Sequence, residues 1–272
     1  MATHNLRGRV LASIGKAGPV DSRFEACADV PKGGVLLALP GLLASGLWEN
    51  TEEHFDLPAG YYQLVHLFLL VAFLALARIK SLESLRYCAP GEWGKVLGLD
   101  RIPEVRTLRE KLHLLGQEEK VERWAAHLSR QWMAQDPESA GTLYVYGHVR
   151  VYHGSAARLP KHYVSRQRLC LRATTDYWVN AMDGQPFFVV HRPVDPGLIQ
   201  VLEEEIIPRL EKEVPNQPTA QQLEVDPKLD KFIVVYDREG YSPESLKRLK
   251  ERYIGALTYH KHPGPNWPES EF

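Results

Sequence analysis

The residues with the clearest chemical potential lie in the string Phe232-Ile233-Val234-Val235-Tyr236-Asp237-Arg238-Glu239-Gly240. An apolar run that stops at an acid reads as a buried strand ending in a carboxylate. The carboxyl ends of strands are where α/β sheets place ligands and metals. The next helix begins nearby, at Ser242-Pro243-Glu244, so anionic groups are favoured close to Asp237. Asp237 can hold Mg²⁺, which takes one or two carboxylates plus waters and phosphate oxygens. It can equally cap the loop that leads to Ser242.

A second pattern is one of charge. From Ser139 to Thr175 there is no Asp or Glu, while the same stretch carries Arg150, Arg158, Lys161, Arg166, Arg168 and Arg172, with His148, His153 and His162. Tyr152, Tyr163 and Tyr177 are interleaved or adjacent. The whole chain has a formal net charge of only -1, so this segregation is local. It reads either as a surface for a phosphate backbone or as a solvated loop with partners in the acidic 203–239 region.

A third is the segment 81–115, which begins SLESLRYCAPGEWGKVLGLDRIPEVRTLREKL. Two short helices joined by Gly98-Leu99-Asp100-Arg101 read as a helix-turn-helix. Its second helix would offer Arg106, Arg109 and Lys111 to a groove, with Arg101 in the turn. The alternative is a helical bundle with a charged outer face. His260 and His262 share a strand face but have no third ligand at a useful spacing. GxSxG, GxGxxG and the phosphate loop are absent. Asp237 as a phosphatase-type nucleophile lacks a second nearby Asp.

The elements that must position these groups follow from patterning. Residues 1–137 read as a mostly helical domain. Leu57 to Gly60 opens an apolar helix through Leu64 to Ile79, too short to span hydrocarbon and interrupted by His66, hence a core helix. Pro90-Gly91 is a break before a short helix at 92–97. Helix 104–115 buries Val105, Leu108, Leu112 and Leu115, and helix 118–134 buries Val121, Trp124, Leu128 and Trp132.

Residues 138–272 read as a sheet with helices on its faces. Thr142 to Tyr152 is a strand, and 176–190 is a hairpin with Asp183-Gly184 at the turn. Asp195 caps a helix that Pro208 should kink or end. The stretch 214–230 is a polar loop, and strands at 232–236 and 255–259 flank a helix capped by Ser242. The end of the sequence, HPGPNWPESEF, is a proline-rich tail. Hydrophobic residues at 44% and charged ones at 25% are ordinary globular usage and exclude wholesale disorder. The N-terminus has no signal-peptide shape. Three cysteines, Cys27, Cys88 and Cys170, form no CxxC pair, which argues against a disulfide framework or thiolate zinc site and fits a reducing compartment.

Four strings together carry a family resemblance: LPGLLASGLW at 39–48, YCAPGEWGKVLGLDRIPEVRTLREKL at 87–112, YGHVRVYHG at 146–154 and VVYDREGYSPE at 234–244. They resemble insertion-sequence transposases of the DDE type. The resemblance implies an RNase H-like core of mixed α/β class behind the helical domain, and metal-dependent DNA strand cleavage and transfer. It implies Mg²⁺ or Mn²⁺ as cofactor, held by three carboxylates in a two-metal arrangement. It implies DNA as partner, with a second copy or a full-length transposase beside it, no membrane, no small-molecule cofactor, and a bacterial cytoplasmic setting at the nucleoid.

Two positions depart from the family's pattern. Its first acid is an Asp in a string like DGHVRVYHG, where this sequence has Tyr146. Its second matches Asp237. Its third, a Glu on a downstream helix, has no counterpart, since Glu269 and Glu271 lie in a tail without helical pattern. A neutral phenol cannot bridge two Mg²⁺ ions as a carboxylate does. The expectation is therefore a C-terminally truncated, catalytically impaired transposase, or a non-catalytic DNA-binding remnant or repressor of a full-length relative.

Overall fold

The computed structural model describes residues 6–16, 18, 26, 28, 30–49, 51–117, 119–154, 158–164, 167–192 and 196–260. Cys27, Arg166, Asp195, His262 and the tail with Glu269 and Glu271 lie outside them. The chain divides into two compact units, Met1–Ala125 and Ala126–Phe272.

The first unit is helical. Its elements are α1 (Leu6–Ser13), a 3-10 turn at Gly33–Ala38, α2 (Leu39–Ala44), α3 (Thr51–His54), α4 (Leu64–Leu76), a 3-10 turn at Leu82–Tyr87, α5 (Pro90–Val96) and α6 (Val105–Leu115). The apolar run is the 13-residue α4, which buries Leu67, Leu69, Leu70, Phe73 and Leu74. It starts later than the sequence suggests, because Gln63 and His66 form a reciprocal capping box in which the Gln63 N–H donates to His66 Nδ1 at 2.9 Å. His66 is thus a cap rather than an interruption. No described helix is long and apolar enough to cross a membrane.

Pro90 begins α5 instead of breaking it, since a first-turn proline gives up an N–H that would have no helical partner. In α6 the expected face holds: Val105, Leu108 and Leu115 are buried and Leu112 packs on them.

The boundary between the units falls inside α7 (Lys120–Gln135) rather than after it. Trp124 packs with the first core, while Met133 and Trp132 belong to the second. Val121, expected inside, is 41% exposed; Ser129 and Met133 are the buried positions instead.

The second unit is a six-stranded mixed sheet with helices. Its strands are β1 (Thr142–Val151), β2 (Lys161–Val164), β3 (Leu169–Asn180), β4 (Pro186–Arg192), β5 (Ile233–Tyr236) and β6 (Gly255–Thr258). β3 pairs antiparallel with β1, β2 and β4; β5 runs parallel to β1, and β6 parallel to β5. Antiparallel strands whose first member is continued on its other side by two parallel strands are the order that the resemblance to an RNase H-like core implies. The acid-free stretch is therefore largely β1, the β2–β3 hairpin and the start of β3, not a loop.

The helical connection between β4 and β5 opens with α8 (Leu198–Val201), passes through a π turn at Leu202–Ile206 and continues as α9 (Ile207–Glu213). Pro208 neither ends nor visibly breaks this connection. The π turn just before it shifts the carbonyl ladder at the point where proline supplies no N–H. The expected loop at 214–230 contains α10 (Ala220–Val225), started by a Thr219–Gln222 capping box. Between β5 and β6 lies α11 (Pro243–Glu251), where Ser242 accepts from the Ser245 N–H at 3.3 Å.

One face of the sheet carries the core. Leu143, Val145, Tyr177, Val179, Val234 and Tyr236 pack against Leu202, Ile206, Leu210 and Leu249. By strand alternation, Tyr144, Tyr146, His148 and Arg150 point to the other face. That face leaves Tyr144 at 42% and Tyr146 at 45% exposure.

Candidate functional site

The ladder between β1 and β5 runs in register from Thr142↔Ile233 to Val145↔Tyr236. Tyr146 and Asp237 are the next residues on the two strands, and Asp237 keeps extended backbone at φ -69°, ψ 160°. Adjacent strands lie about 4.8 Å apart, and partners in register share a face. Continued by one residue, this register brings Tyr146 and Asp237 next to each other at the end of the ladder. On its other side Tyr146 pairs with Trp178 of β3.

Asp237 is exposed, and its Oδ1 accepts the Arg238 N–H at 2.7 Å, capping a 3-10 turn at Arg238–Gly240. Tyr236 buries its ring under this turn: a Cβ on Gly240 would lie 2.5 Å from Tyr236 Cδ2. Burial, and behind it the Glu203 carboxylate, push the Tyr236 phenol up to about 12.

A divalent ion does not fit these residues. Asp237 has one oxygen committed to the backbone, and its neighbour in register is a phenol, not a carboxylate. Among the described residues, no group of three or more His, Cys, Asp or Glu side chains is placed to hold a metal ion.

One step further along the same face lies an acid that the sequence reading missed. Asp176 of β3 pairs in register with His148 of β1 and His191 of β4. It is 5% exposed and accepts from Arg150 Nε at 2.7 Å and meets His191 Nδ1 at 2.6 Å. The signal was present: Asp176 is the residue that ends the acid-free stretch, at the alternation position shared with His148 and Arg150.

The remaining basic residues separate by environment. Lys161 and Arg172 face each other directly across the β2–β3 ladder, both exposed. Arg168 sits at the turn of that hairpin with φ 53°, and Arg158 is exposed before it. Thus Arg150, Lys161, Arg168 and Arg172 are gathered onto one region of the sheet.

The 81–115 segment differs. Its α5 and α6 are separated by 97–104, longer than the three or four residues of a helix-turn-helix turn. Arg106 Nε donates to Glu110 at 2.9 Å, and Arg109 pairs with Glu83. Lys111 is half-buried, and desolvation lowers its pKa. Arg101 is exposed, but its backbone is pressed under Gly94.

A family model described as "Transposase protein" matches residues 2–272. The chain belongs to this transposase family. No curated protein matches it. Among solved structures, the crystal structure of a pre-cleavage Mos1 transpososome aligns at a TM-score of 0.28 and 9% identity, covering 75% of this chain and 62% of that chain. The transposase therefore spans less than two thirds of the chain it aligns with.

Proposed function

We propose that this transposase-family chain acts on DNA ends in transposition as a binder whose strand-cutting chemistry is impaired. The observation that carries the reading is the register of β1 and β5, whose last pair, Val145↔Tyr236, makes Tyr146 and Asp237 the next residues on the two strands. Two-metal strand cleavage needs carboxylates that bridge the ions, and a neutral phenol does not replace one. The residues that remain suited to DNA are the cations of β1, β2 and β3, which point to the sheet face that carries Asp237. Phosphate contacts of this kind supply sequence-independent affinity that falls steeply with salt.

The test compares the wild-type chain with Tyr146→Asp. Mn²⁺ binding is followed by calorimetry and nicking of a supercoiled plasmid is followed on gels. The expected result is no nicking by wild type and Mn²⁺ affinity gained on Tyr146→Asp. Metal-dependent nicking by wild type would overturn the impairment. A flat salt response, or no binding to a duplex even at low salt, would overturn the DNA reading.

A second reading, that the chain represses a full-length relative by occupying its DNA ends, is favoured by the same gathering of cations. It predicts competition for DNA without cleavage.

A further inference from the structure

We propose that Asp176 is a positioning residue that holds Arg150 and His191 as a two-sided grip on a DNA phosphate, one step along the open face from Tyr146 and Asp237. The proposal rests on the DNA-binding reading above and names the atoms that carry part of it.

A carboxylate at 5% exposure is costly unless its oxygens are satisfied. Asp176 divides its two oxygens between two strands. Oδ2 takes Arg150 Nε on one side at 2.7 Å, and Oδ1 takes His191 Nδ1 on the other at 2.6 Å. Both partners are mostly in solvent, with side chains 61% and 60% exposed. Each is anchored by its inner nitrogen and left with its outer ones. Arginine has five N–H donors, so a bond through Nε leaves four on the terminal nitrogens. An imidazole held at Nδ1 leaves Nε2.

Three other arginines of the sheet unit are arranged differently. Arg192 gives Nε and Nη2 to Glu205 and Nη1 to the His191 carbonyl. Arg248 gives Nε and Nη2 to Glu203, and Arg252 gives Nε and Nη2 to Glu211. These forks are consumed by side-on carboxylate pairing, which suits holding elements together. Arg150 is held by one nitrogen only and keeps the fork that matches a phosphate.

The experiment is fluorescence anisotropy of the full chain with a labelled mixed-sequence duplex, from low to physiological salt. Wild type is compared with Arg150→Gln, His191→Gln and Lys247→Gln, the last on α11 away from the open face. Thermal melting checks that each variant folds. Arg150→Gln should weaken binding about tenfold and lower the salt slope by about 1. His191→Gln should weaken binding several-fold, and Lys247→Gln should change neither the affinity nor the salt slope. If wild type binds but the Arg150 and His191 variants keep its affinity and salt slope, the grip is wrong while the DNA reading stands. If wild type does not bind at any salt, both fall together.

Discussion

Ser129 and Glu213 meet inside the sheet unit, where the serine hydroxyl donates to Glu213 Oε2 at 2.9 Å. Both are buried, and Glu213 Oε1 accepts from Arg209 Nε at 2.9 Å. Arg209 in turn lies 3.8 Å over the Phe188 ring. Breaking a buried ion pair from one side leaves the other charge without compensation, at about 3–5 kcal/mol. Glu213→Ala is therefore expected to lower unfolding stability by that order. Ser129→Ala should lower it by only about 1 kcal/mol. Urea titrations give both numbers, and equal losses would show that the serine bond, not the charge, is what matters.

Gly94 makes a tight backbone approach in the helical unit. A Cβ there would lie 2.5 Å from both the Cα and the N of Arg101, backbone atoms that cannot swing aside. Gly94→Ala is expected to cost about 1–3 kcal/mol through overpacking, against the helix-propensity gain an alanine gives at open sites. A melting temperature at or above wild type would mean that α5 can slide away from the 99–101 backbone.

The Tyr236 phenol, pushed up to about 12 by burial and by the Glu203 carboxylate, predicts an alkaline limit. A folded value above the ordinary 10.0 means the folded state holds the proton more tightly. The stabilisation is full below pH 10 and is lost as pH rises towards 12, about 2–3 kcal/mol in all. Tyr236→Phe should remove that loss, seen as a flatter denaturation midpoint between pH 9.5 and 11.5. An unchanged profile would place the alkaline loss elsewhere.

On the acid side, Glu211 works the other way. Burial raises its pKa, but the Arg252 bond and charge and then Lys231 outweigh it and hold it below 4.5. A depressed folded value gives stability that is present above the unfolded pKa and lost as pH falls through the folded one. Arg252→Gln should therefore destabilise at pH 7 by about 1–2 kcal/mol and converge with wild type in strong acid. A constant difference down to low pH would mean that Arg252 acts through packing.

How far the sequence carried this picture differs by element. β5, α6 and α11 were legible because their signals are local: an apolar run ended by Asp237, a period that repeats Val105, Leu108 and Leu115, and Ser242-Pro243 at a helix start. β2 was not, since Lys161–Val164 carries charge and His in place of a clean alternation, and its pairing with Leu169–Arg172 is a tertiary fact. His66 looked like a flaw in an apolar helix because its cap partner is read only with the geometry in view. The strand end before Asp237 was legible as an apolar run stopped by an acid, while the place of Asp176 was not. Its neighbours His148 and His191 lie 28 and 15 residues away, and only the sheet register unites them.

The β2–β3 hairpin offers a prediction in which stability and function move in opposite directions. Lys161 and Arg172 are direct partners across an antiparallel pair, with both side chains exposed. Like charges placed directly opposite are destabilising, and opposite charges stabilise by about 0.2–1 kcal/mol. A fold selected for stability alone has no use for this pair, whereas an anion lying across it relieves the repulsion. Lys161→Glu is therefore expected to raise the stability of the sheet unit by up to about 1 kcal/mol. The same change should weaken duplex binding and lower its salt slope by about 1 or more, since it removes one cation and repels phosphate. Paired melting and anisotropy measurements decide it. A variant that is more stable and binds as tightly as wild type would take the hairpin out of the DNA surface and leave Arg150 and His191 to account for it.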